Sequence, residues 1–161
     1  MKKLLFILLI LILLTGCTNI QKENYKNNLL ETHNSIQENT KTCLLANNYY
    51  STVWKNAIEN RKDFNIELVN AVSESEKLGQ YKTMNKSKDN IDNKMKQLSN
   101  PPKAYQHAYD KLLEMYGIYT QLYSLALNPS GSLVSYNNTI NDLQGKLVKA
   151  SSEFKVLIPS N

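Results

Sequence analysis

Two thiols, two imidazoles and fourteen carboxylates are the groups in this 161-residue chain that could serve as nucleophile, base or metal ligand. His33 and His107 stand far apart, and neither has a second histidine at helical spacing, so no HExxH-type zinc pair exists. A zinc site at His107 would need Asp110, Glu114 or residues from other helices. His33 falls on an apolar stripe and reads as a satisfied core or boundary histidine. Glu74 with Glu76, and Asp89 with Asp92, are close in sequence. Paired acids do general acid–base work only where a pocket pushes their proton affinities apart. These lie on polar stretches and read as solvated. The sequence has no glycine-rich phosphate loop, no calcium loop and no elbow-type serine. No catalytic residue, metal ligand or cofactor is expected, and the chain is read as a non-enzyme. Cys43 reads as a small buried hydrophobe, with a reactive or pairing thiol as the alternative.

Cys17 stands in a more telling setting. Met1-Lys2-Lys3 is followed by eleven apolar residues, Leu4 to Leu14, and then by Thr15, Gly16 and Cys17. A basic start, a short apolar run and small residues make a secretory signal. The run is too short to span a bilayer, which takes about 20 residues. Leu14-Thr15-Gly16-Cys17 resembles the bacterial lipobox. That resemblance implies cleavage between Gly16 and Cys17, a diacylglycerol on the Cys17 sulfur and a further acyl group such as palmitate on the new amino terminus. One chain attaches a protein only marginally, and two or three make attachment effectively permanent. The expected location is the extracytoplasmic face of the cell membrane. Thr18, not Asp, follows the cysteine, so no inner-membrane retention signal is present. With Cys17 committed to lipid, an internal disulfide has no second partner.

Three regions follow: a signal peptide at 1–16, a polar lipidated tether at 17–24, and a helical domain at 25–158. Removing the signal leaves 145 residues, the size of one domain. It also takes away Lys2 and Lys3 and lowers the formal charge from +5 to +3. A surplus this small does not suggest nucleic acid, but it suits an envelope of anionic lipid and polymer. Asn (21) and Lys (18) against a single Arg look like the product of an AT-rich genome and favour a Gram-positive cell. The densest basic stretch, Lys82 to Lys96, is interleaved with Asp89 and Asp92 and reads as a solvated helix face.

Five Gly and four Pro over this length argue against a turn-rich β fold. Leu29, His33, Ile36, Thr40, Cys43, Asn47, Tyr50, Trp54, Ala57, Arg61 and Phe64 step by four and three, which places them on one helix stripe. Leu30, Leu44 and Ile58 broaden it. The spacing predicts one helix over about 23–62. Asp63 can cap a second, with Ile66, Val69 and Val72 inward. Gly79 marks a kink or short loop. Met84, Lys88, Ile91, Met95 and Leu98 then resume, with Lys88 snorkelling outward. Asn100-Pro101-Pro102 is a stop. Tyr105, Ala108, Leu112, Met115, Tyr119, Leu122 and Ala126 form the next stripe. After a turn at Asn128 to Ser132, capped by Ser130 or Ser132, Leu133, Tyr136, Ile140, Leu143, Leu147, Ala150 and Phe154 form the last. Val156-Leu157-Ile158 are expected to fold back onto the end of the domain. Gly117 and Gly145 lie inside helical patterns, where close helix approach would explain them. The fold class is all-α, an elongated bundle of three to four long antiparallel helices with coiled-coil-like seams.

Tyr105, Tyr109, Tyr116, Tyr119 and Tyr123 share one helix. They read either as core and boundary packing or as a partly exposed aromatic strip for a protein, peptide or wall polymer. Tyrosine supplies large contact area at modest entropy cost. The whole pattern is similar to the small helical membrane lipoproteins of Gram-positive bacteria and their prophages. The resemblance is specific only from Leu14 to Cys17. It implies a lipid-anchored binding or interaction module at the envelope. Some phage-encoded lipoproteins of this size block DNA entry by a second phage, which makes superinfection exclusion an alternative. A small-ligand carrier or enzyme with an inter-helix pocket is another.

Overall fold

The computed structural model describes the backbone of residues 2–158 and the side chains of residues 21–158. Gly16 and Cys17, the expected cleavage and lipidation positions, lie outside the described side chains. Five α-helices and one 3-10 turn (Lys103–Tyr105) make up the described chain: α1 Lys2–Glu59, α2 Phe64–Lys77, α3 Gln80–Gln97, α4 Gln106–Leu127 and α5 Leu133–Leu157. Three to four helices were expected. The fifth arises because the second long rod breaks at Leu78–Gly79, where Gly79 takes a left-handed φ of 74° that an L side chain resists.

α1 continues unbroken through Asn47-Asn48 and ends in a Schellman-type turn. The Lys62 amide donates to the Ala57 carbonyl (2.9 Å), the Arg61 amide donates to that of Ile58 (3.2 Å), and Arg61 sits at φ 55°. The predicted stripe is buried from Leu29 to Ala57. It stops there. Arg61 and Phe64 lie beyond the helix, and Ile58 is more than half exposed. Asp63 caps α2, its carboxylate accepting from the Asn65 and Ile66 amides. The inward face of α2 differs from expectation. Leu68, Ala71 and Ser75 are buried, whereas Ile66 and Val69 are exposed and Val72 is half-buried. Leu68 with the small residues at 71 and 75 makes the inward face, and Ile66 and Val69 turn outward.

Met84, Ile91, Met95 and Leu98 are buried as expected, and so is the whole α4 stripe from Tyr105 to Ala126. Ser132 caps α5 through a reciprocal pair with Ser135, and every predicted α5 position from Tyr136 to Phe154 is buried. Cross-contacts fix the directions. Tyr25 donates to the Leu98 carbonyl (2.8 Å), and Lys94 pairs with Glu31 (2.6 Å), so α3 runs against α1. His33 meets Ser151 (2.9 Å) and Ser51 meets Asn137 (2.7 Å), so α5 also runs against α1. Tyr25 packs on Tyr105 and Asn47 reaches Leu122, so α4 runs with α1. Of the last three apolar residues only Ile158 packs onto the core; Val156 is 85% exposed. A side chain at 156 points away from the α5 stripe that ends at Phe154. Gly117 and Gly145 also depart from expectation, since nothing lies within 4 Å of where a Cβ would stand.

Candidate functional site

A groove of about 490 Å³ opens where α1 passes the break between α2 and α3. Ala46, Ser75 and Met84 form its buried floor, and Leu45, Tyr49 and Leu78 its rim. Leu45 is 71% and Leu78 69% exposed. The groove exists because α2 descends along α1 and stops, and Gly79 redirects the chain into α3. The Tyr49 hydroxyl donates to Glu74 Oε2 at 3.1 Å across one end. Partial burial, with Glu74 second, raises the Tyr49 pKa, so the phenol stays protonated. Chemically the groove offers apolar contact area and one acidic handle.

The five tyrosines expected on one helix do not make one exposed strip, and Tyr105 closes the 3-10 turn just before α4. Tyr105 and Tyr119 are buried, because the stripe that carries them faces α1. Tyr109, Tyr116 and Tyr123 are half-buried at the edge of the core. Tyr116 donates to Asp92 Oδ1 (2.8 Å) and Tyr123 to Asn85 Oδ1 (2.7 Å), which stitches α4 to α3. Lys88 reaches the same place. Its Nζ donates to both Asp92 oxygens (2.6 and 2.8 Å) and to Tyr116 Oη (3.2 Å), and stands 5.1 Å over the Tyr116 ring. Lys88 and Lys94 therefore leave the basic stretch that was read as a solvated face and serve as helix-to-helix contacts.

His33 is 5% exposed. Its Nε2 shares a hydrogen bond with Ser151 Oγ at 2.9 Å, Nδ1 meets Asn34 Oδ1 at 3.1 Å, and its ring stacks on Phe154 at 4.7 Å. Burial lowers its pKa, the Asn34 contact opposes this, and Lys155 adds to the lowering. His107 is exposed. Among the described residues no three His, Cys, Asp or Glu side chains come together in a way that could hold a metal. Cys43 is buried, and desolvation pushes its thiol up to about 12, which removes the thiolate at neutral pH. Trp54 is buried against Phe64 and Tyr136.

Sequence reasoning missed the groove. Leu45 and Leu78 fall off every stripe, and that is the signal that could have found them. It also missed Asn47 as a polar hub: fully buried, it donates to the Leu122 carbonyl (3.1 Å) and accepts from Tyr136 Oη (2.7 Å).

Among the described residues no helix is long and apolar enough to cross a membrane. No curated protein and no solved structure matches the chain. Residues 1–18 match the prokaryotic membrane lipoprotein lipid attachment site. The chain thus opens with the lipobox signal of a bacterial membrane lipoprotein, which implies anchoring through an acylated cysteine, Cys17.

Proposed function

We propose that this chain is a non-enzymatic interaction module, held by lipid on the extracytoplasmic face of the cell membrane. In this reading the groove between α1 and the α2–α3 break receives an apolar segment of an envelope protein or peptide. The observation that carries it is the rim. Two leucines stand about 70% in water on either side of a buried floor. Burying a leucine contributes roughly 1.5–3 kcal/mol, and Glu74 beside Tyr49 can accept a hydrogen bond from the partner's backbone. Apolar walls suit a peptide better than a sugar-phosphate wall polymer. The volume also supports a second reading, a small apolar ligand, since such sites span about 300–1,000 Å³.

A photo-crosslinking residue at Leu45, in lipidated protein in its own membranes, tests both. A reproducible adduct of protein mass, lost on Leu78→Glu and absent from a probe at Val134, supports the peptide reading. A low-mass adduct with the same dependence moves the assignment to a small ligand. Equal labelling from Leu45 and Val134 removes the groove as a binding surface.

A further inference from the structure

The end of the helical body nearest the anchor carries a second surface. Four sequence steps within α1 separate Cys17 from Gln21, a rise of about 6 Å at 1.5 Å per residue. The first described turn of α1 therefore stays close to the acylated cysteine. Tyr25 is locked to that end of the body by its bond to the Leu98 carbonyl and its packing on Tyr105. The 3-10 turn with Lys103 is at the same level. α5 returns to this end. Lys111 pairs with Glu153 at 2.6 Å, and four residues further down α5 Leu157 comes level with His107 in the first turn of α4.

Among the described residues the exposed charged side chains at this end are Lys22, Lys96, Lys103 and Lys155, against Glu23 and Asp110. One turn higher, Lys94 is already neutralised by Glu31. Four exposed cations and two anions leave +2 here, most of the +3 that the mature chain carries as a whole. Lys22, Lys96, Lys103 and Lys155 are exposed. Beside them Val156 is 85% and Leu157 36% exposed. Cations around a pair of solvated apolar side chains are what an anionic interface accommodates: the apolar groups enter the headgroup boundary and the ammonium groups meet phosphate.

We propose that this end is a docking surface for the anionic bilayer to which Cys17 is attached. The lysines at 22, 96, 103 and 155 lie on the headgroups, and Val156 and Leu157 enter the interface. The lipid anchor then sets only the distance, and this surface sets the orientation of the body. The headgroup layer is about 5–7 Å deep and the screening length about 8 Å, so a body end that begins about 6 Å from Cys17 along α1 stands within range of the lipid charges. The proposal rests on the lipid-anchored reading but not on the groove having a partner.

The test uses lipidated protein reconstituted in vesicles. Cys43 is buried with its thiol pushed up to about 12, and Cys17 is a thioether when acylated, so an added cysteine can be labelled alone. An environment-sensitive fluorophore goes on Val156→Cys, with Val134→Cys at the far end as the reference. In phosphatidylcholine vesicles containing about one third phosphatidylglycerol, the 156 probe shifts to the blue and is quenched by a lipid-soluble quencher. In pure phosphatidylcholine, or at high salt, it does not. Neutralising Lys22, Lys96 and Lys103 to Gln reduces the docked-to-free ratio on the order of a hundredfold, at roughly fivefold per lysine. An unshifted 156 probe on anionic vesicles overturns the proposal, as does an equal shift at 134. A shift driven by soluble polyphosphate polymer and not by vesicles reassigns the surface to wall polymer. Flotation separates these outcomes from failure of the anchor, because protein without lipid leaves the vesicles altogether.

Discussion

Replacing Tyr136 and Tyr119 by Phe is expected to change stability in opposite directions. Both residues are essentially fully buried. Tyr136 Oη donates to Asn47 Oδ1 at 2.7 Å, and Asn47 Nδ2 holds the Leu122 carbonyl at 3.1 Å, so one polar unit ties α5, α1 and α4. Tyr136→Phe removes a bond that contributes about 1 kcal/mol and leaves the Asn47 oxygen unpaired in the core, at about 1–3 kcal/mol more. The expected loss is about 2–4 kcal/mol. Asn47→Leu leaves the Tyr136 hydroxyl only its longer bond to the Leu125 carbonyl (3.4 Å) and should cost somewhat less. The double variant strands neither, so the two losses fail to add by about 1–2 kcal/mol. Tyr119 Oη has no hydrogen-bond partner among the described residues. Its removal lifts a desolvation cost, and Tyr119→Phe should stabilise by about 1 kcal/mol. Urea unfolding of the four variants measures all of this at once. Additivity of the Asn47 and Tyr136 changes within experimental error, or a loss from Tyr119→Phe as large as that from Tyr136→Phe, would refute the reasoning.

Three further outcomes are expected. Gly117→Ala and Gly145→Ala, where a Cβ meets open space, should each stabilise by up to about 1 kcal/mol in thermal unfolding, because Ala restricts the unfolded chain and suits helix interiors. Arg61→Gly should raise stability by about 1 kcal/mol, since Arg61 holds a left-handed φ of 55° at the end of α1; a loss would mean that the arginine side chain matters more than its backbone. His33 is buried with its pKa held below 6.5, so as pH falls through about 6.5 the unfolded chain takes the proton first. Stability present above that value is lost at up to about 1.4 kcal/mol per pH unit until the folded pKa is reached. His33→Gln should flatten unfolding free energy against pH between roughly pH 7.5 and 5.5, and an unchanged slope would exclude His33 as the cause.

The long seams were legible because they obey a local rule. From Leu29 to Ala57 the four-three spacing alone orients α1, and the same rule placed most of the core of α4 and α5, but not Ile118 or Ser151, which are also buried. It failed where a helix packs through small residues. The choice of Ile66, Val69 and Val72 on α2 put the stripe out of phase: the buried face is Leu68, Ala71 and Ser75, with Val72 at its edge, and two of its three members are small. It failed again at chain ends, where Val156 and Leu157 have no later turn to hold them inward. The groove was not legible, because it comes from two helices diverging at Gly79 and no periodicity in either one encodes a gap between them. The lipoprotein signal was legible at residues 14–17, since a processing signal is read as a linear stretch and needs no fold.

The polar residues in the α1 seam give that fold a bearing. His33, Thr40 and Asn47 recur every seven residues on an otherwise apolar stripe, and the first and last are hydrogen-bonded to other helices. An all-apolar seam could slide by a turn at small cost. Sliding this one by a turn would bury an unpaired imidazole and an unpaired amide together, each at about 1–3 kcal/mol. The register of α1 against α4 and α5 is thereby fixed. Because α1 is continuous from Tyr25 to Leu45, the groove rim stands roughly 30 Å above the anchor-side end, at 1.5 Å per residue. A helix fixed in rotation as well as height presents Leu45 and Tyr49 in one direction relative to Lys22. If the lysine-ringed end lies on the bilayer, whatever enters the groove is met at a set height and from a set side. Shifting the seam by one turn, without touching Leu45 or Lys22, should then disturb both surfaces together.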